Sequence, residues 1–158
     1  EGSMELVALN GVREESESDV FYLSFPQNMQ TSFRVRIGMP FADLKSAKIK
    51  LWFWVMARTS GASLPPLQLT YRILRRPLVP YLPTDCDQVI LPIVDTPLPA
   101  IDKRICGAQE TNVYVEAMSD AFPPAGLVNG DTVLATLSRP VDSYPGDVGI
   151  LRMGYVLI

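Results

Sequence analysis

The chain has 158 residues, with 14 Lys and Arg against 17 Asp and Glu, a net charge of −3, no His and two Cys. Hydrophobic residues at 47% and charged residues at 20% describe a globular chain, long enough to bury about two thirds of its unfolded surface, and not the high-charge balance of disorder. The absence of His excludes His-based nucleophilic sites and His-ligated zinc, and a pI near 4.9 opposes nucleic-acid binding, which needs a surplus of cations.

Glu1, Gly2 and Ser3 stand before Met4 and read as an expression scar. The rest of residues 1–19, with Glu14, Glu15, Glu17 and Asp19, reads as a polar arm in solvent, and no basic stretch followed by an apolar one predicts a secretory signal. The first expected strand is Val20–Phe25, aromatic and β-branched, stopped by Pro26-Gln27-Asn28. Residues 32–38 then alternate, with Phe33, Val35 and Ile37 facing a core and Arg34 and Arg36 facing water. Residues 40–47 suit a short helix or a loop equally. From Ala47 to Ala57 the alternation runs over eleven residues, with Ala47, Ile49, Leu51, Phe53, Val55 and Ala57 on one side. Lys48, Lys50, Trp52, Trp54 and Met56 take the other, which turns from basic to aromatic half-way along.

Residues 67–75 read as a partner strand, again alternating. Residues 77–99 carry Pro77, Pro80, Pro83, Pro92, Pro97 and Pro99, and proline lacks an amide donor, so this excursion supplies edge strands and loops only. Further strands are expected over 111–118, 131–139 and 148–158, separated by Pro123-Pro124-Ala125-Gly126, Asn129-Gly130 and Tyr144-Pro145-Gly146. About eight strands without a long helix predict an all-β protein: an antiparallel two-sheet sandwich of jelly-roll type, one domain over 20–158. The longest apolar run, Leu51 to Ala57, is far short of the roughly 20 residues of a membrane helix. Cys86 and Cys106 read as unlinked thiols.

No convincing catalytic constellation emerges. Glu110 and Glu116 flank or face outward on a strand, and the polar arm's acids are solvated, so the paired carboxyls of a glycosidase are not in evidence. Asp142 and Asp147 bracket a turn, as Asp131 follows one; side chains that hydrogen-bond their own backbone explain them better than a cation does. No catalytic residue, cofactor or metal is therefore expected. Arg72, Arg75, Arg76, Lys45, Lys48 and Lys50 make a basic patch beside Trp52 and Trp54, a mixture suited to a subunit interface or to sugar stacking. Trp52, Trp54, Met56, Lys48, Lys50 and Arg72 are the candidate contact residues. Large apolar patches are rare on monomers, so the Trp face needs a cover, either a neighbouring subunit or the excursion at 77–99.

Three islands carry a resemblance. Asn129-Gly130-Asp131 leads through an apolar strand to Ser138-Arg139-Pro140, then Asp142, Gly146-Asp147 and the apolar Val148-Gly149-Ile150-Leu151. With Phe25-Pro26-Gln27-Asn28 and the strand Lys48-Ile49-Lys50-Leu51-Trp52-Phe53-Trp54, these resemble β-sandwich domains in structural proteins of tailed bacteriophages. Gln27 stands where that group usually has Asp, and residues 77–99 have no counterpart in it. The resemblance implies a non-enzymatic virion component, a tail-fibre domain or head-decoration protein, assembled in the host cytoplasm as a homotrimer among other virion proteins. A carbohydrate-binding module with exposed aromatics is the alternative.

Overall fold

The computed structural model describes residues 3–17, 20–39, 46–57, 67–74, 87–90, 113–142 and 146–158. Among them run β1 Ser3–Asn10, β2 Arg13–Glu17, β3 Val20–Phe25, β4 Thr31–Gly38, β5 Ala47–Ala57, β6 Gln68–Leu74, β7 Asp87–Ile90, β8 Val113–Met118, β9 Phe122–Leu127, β10 Thr132–Arg139 and β11 Val148–Leu157. Every pairing between these strands is antiparallel. Sheet A has the order β1-β4-β10-β6-β7 and sheet B the order β2-β3-β11-β5-β8, with β9 also paired to β5. The fold is the expected all-β, two-sheet sandwich.

Alternation builds the core. Phe33, Val35 and Ile37 of β4, Leu69, Tyr71 and Ile73 of β6 and Val133, Ala135 and Leu137 of β10 face inward from sheet A. Phe25 of β3, Ile49, Leu51, Phe53 and Val55 of β5 and Val148 and Ile150 of β11 meet them from sheet B. Tyr71 stacks on Phe122 across the layers, with ring centroids 4.7 Å apart. Because β3, β4, β5 and β6 fall alternately in the two sheets, strands consecutive in sequence show their outer faces to opposite sides of the molecule.

Two differences from the sequence reading have physical causes. Residues 3–17 are not a free arm: β1 extends sheet A beside β4, and β2 extends sheet B beside β3. Met4, Leu6 and Leu9 lie opposite Ile37, Val35 and Phe33, an alternation masked in the sequence by the register shift between Leu6 and Ala8. Phe122–Leu127, expected as a turn, is the strand β9, held to β5 at only Ala47 and Ile49. Its two prolines cannot donate, which limits it to the short piece of edge that β8 leaves open. Ser119 closes that junction, its Oγ accepting from the Leu51 amide at 2.9 Å while its own amide donates to Leu51 O at 2.8 Å. Within 77–99 the described residues form β7, the edge strand beside β6. The rest of that excursion, residues 40–45, Cys86 and Cys106 lie outside the described residues.

Candidate contact face on sheet B

The outward row of β5 is where the candidate residues were expected, and the structure sorts them. Lys48 and Trp54 are exposed, Lys50 and Trp52 half-buried, and Met56 is buried at 3%. Met56 thus lies beneath the surface and not on it. Opposite it in β11 stands Gly149, where an added Cβ would come within 2.9 Å of Tyr22 Cδ2 and 3.1 Å of Met56 Cε, so the missing side chain lets Tyr22 and Met56 close over the sheet. Arg72 is not part of this face. It projects from β6 in sheet A, opposite Leu134, because successive strands lie in opposite layers. Arg75, Arg76 and Lys45 lie outside the described residues.

A residue not singled out from the sequence completes the face. Strict alternation from Val148 and Ile150 would point Arg152 into the core. The register of β11 against β5 shifts between Ile150 and Arg152, leaving Leu151 as an extra residue and reversing the phase. Met153 and Tyr155 consequently turn inward opposite Phe53 and Leu51, and Arg152 turns outward opposite Trp54. A guanidinium in phase with two core residues was the available sign that the strand changes phase.

Arg152 Cζ lies 5.7 Å from the centroid of the Trp52 ring and 5.5 Å from that of Trp54, within cation–π range of both. The two indoles are 6.3 Å apart and tilted by 48°. Gly154, opposite Trp52, provides the bed for its ring: a Cβ there would sit 2.3 Å from Trp52 Cζ2. Trp54 remains 46% exposed, with Met118 and Val156 exposed nearby on β8 and β11. Glu116, exposed and opposite Trp54 on β8, supplies a carboxylate. Among the described residues none hydrogen-bonds or ion-pairs with Arg152.

On the other side of Arg152 the sheet opens. β3 pairs with β11 only over Val148 to Ile150, and beyond the bulge a cleft of about 410 Å³ lies between them. Glu14, Glu15, Phe21 and Tyr22 line one wall, and Leu151, Arg152 and Met153 the other. Tyr22 Oη donates to Glu15 Oε2 at 3.1 Å, and Phe21 is 77% exposed.

The aspartates of the turns have structural partners. Asp131 Oδ2 accepts from the Val128 amide at 3.0 Å, and Asp147 Oδ1 from the Gln27 amide at 2.8 Å. Asp142 takes Arg139 Nε and Nη2, both at 3.0 Å. Among the described residues no three His, Cys, Asp or Glu side chains gather as a metal site, and no helix is long and apolar enough to cross a membrane.

No protein-family model matches the chain, and no curated protein matches it. Among solved structures it is similar to the enzymatically active domain of tailspike protein 4 from bacteriophage CBA120, with 16% identity and a TM-score of 0.39. That match covers 100% of this chain, which spans 19% of the length of the tailspike structure. It is also similar to TmCBM61 in complex with beta-1,4-galactotriose, with 10% identity, a TM-score of 0.33 and coverage of 99% and 87% of the two chains.

Proposed function

We propose that the chain is a non-enzymatic contact domain of a tailed-phage particle, of tail-fibre or head-decoration type, with the jelly-roll strand order β3 to β11 as its scaffold. The observation that carries a contact role is Trp54, 46% exposed beside Trp52 and Arg152 on an outer sheet face. An indole left in water forgoes much of the burial available to it, so a surface that organises two of them is one that meets something. The phage context is supported by the sequence resemblance, whose Arg139, Asp142 and Asp147 make structural bonds in this chain. Assembly as a homotrimer belongs to the same reading. The rim of β1, with Leu6, Val7 and Leu9 each about 40% to 46% exposed, provides an apolar edge away from the Trp face. Light scattering at micromolar concentration is expected to return three times 17.5 kDa; a clean monomer at 17.5 kDa would remove the trimer.

A second reading, a carbohydrate-binding module, is favoured by the same neighbouring indoles, since aromatic faces suit the apolar faces of sugar rings. The two readings share the surface and differ in assembly.

A further inference from the structure

We propose that Trp52, Trp54 and Arg152 form a binding platform for an anionic glycan, a pyranose chain carrying carboxylate or sulfate groups. This rests on the reading of the outer face of sheet B as a contact surface and specifies what it contacts.

The guanidinium is the first part of the case. Arginine presents a rigid fork of N–H donors that matches a carboxylate or sulfate in two parallel bonds. At Arg152 no described residue takes those donors, while two indole rings at 5.5 and 5.7 Å hold the group in place. A flexible cation in water would lose rotamer freedom on binding; one already held by two rings loses less. The phase reversal at Leu151 and the absent side chain at Gly154 are what bring the cation and the rings together.

The rings and the surrounding charge narrow the ligand class. Trp54, 46% exposed, offers an aromatic surface to the C–H side of a pyranose with the half-buried Trp52 ring beside it, and the exposed Glu116 opposite Trp54 can accept from the sugar's hydroxyls. Lys48 and Lys50 extend the same row of β5, so the cationic character of Arg152 continues along this strip. A nucleic acid bears a phosphate at every nucleotide and needs a continuous cationic track. Here Glu116 flanks the platform on the β8 side and Glu14 and Glu15 line the cleft on the β3 side. Spaced charges joined by hydroxyl-rich rings fit this arrangement better.

The test is calorimetric titration of the whole chain with oligogalacturonate and with its methyl ester, which keeps the backbone and removes the charge, alongside dextran sulfate and dextran. At least one charged ligand is expected to bind about tenfold or more tightly than its neutral counterpart. Arg152→Gln should abolish that preference, and Trp54→Ala should weaken charged and neutral ligands alike, with both variants still folded and unfolding in a single cooperative transition. Preference for the carboxylate pair or for the sulfate pair identifies the anion. Equal binding of charged and neutral partners would overturn the anionic inference while leaving a glycan contact. Binding of none of the four would overturn it too, and the scattering mass then reports separately on the assembly reading. Equal or tighter binding of polyglutamate or of a single-stranded oligodeoxynucleotide would also overturn it, by assigning the platform to an acidic peptide or to nucleic acid.

Discussion

Two arginines, Arg139 at the end of β10 and Arg152 midway along β11, show how one chemical group serves opposite purposes. Arg139 is 1% exposed, and its fork is taken by both carboxylate oxygens of Asp142 and by the carbonyls of Phe25 and Gly146, at 2.8 to 3.0 Å. Arg152 is exposed, and its guanidinium lies against two indole rings with no hydrogen bond or ion pair to a described residue. The first guanidinium ties the end of β10 to the end of β3 and to the turn before β11, so its cost of desolvation is offset by bonds that close the fold. The second keeps its donors for an outside acceptor. Whether an arginine is structural or available is read from where its donors go.

The comparison is open to breakage at several points. Arg139→Met should be the most damaging change, losing about 3 to 5 kcal/mol because it strands a largely buried carboxylate and two carbonyls, whereas Arg152→Gln should stay within about 0.5 kcal/mol. Chemical denaturation measures both, and similar losses at the two sites would break the distinction. Met56→Ala should cost about 2 to 3 kcal/mol, since Met56 is 3% exposed, while Trp54→Ala two residues away should cost less than about 1 kcal/mol. Equal midpoints for those variants would return Met56 to the surface. Gly154→Ala should cost about 1 to 3 kcal/mol and shift tryptophan emission to longer wavelength, because the new methyl evicts the Trp52 ring; an unchanged spectrum would mean the ring has another seat. The smallest effect belongs to Arg36 and Glu5, paired at 2.9 Å with side chains 50% and 63% exposed. Glu5→Gln should change stability by about 0.5 kcal/mol or less, and a larger loss would show that the β1 edge depends on the pair.

The platform itself was half legible. Trp52 and Trp54 follow from alternation in β5, which holds in burial from Ala47 to Val55. Arg152 does not, because a bulge is a single-residue event that leaves composition and spacing untouched while reversing every side chain beyond it. Arg72 failed as a neighbour of the Trp pair for a different reason: closeness in sequence says nothing about which layer a strand joins.

The sandwich and most of its inner faces were legible in the order of the residues alone. Period-two burial in β4, β5, β6 and β10 is a local property, set by side chains that stand on alternate sides of an extended backbone. It took the assembled layers to show that residues 3–17 extend both sheets, that a proline-bearing segment completes the edge of β5, and that Met56 is covered while Arg152 is presented. Each depends on a register or a partner strand far away in the chain, and pairing energy of that kind exists only once the layers have come together.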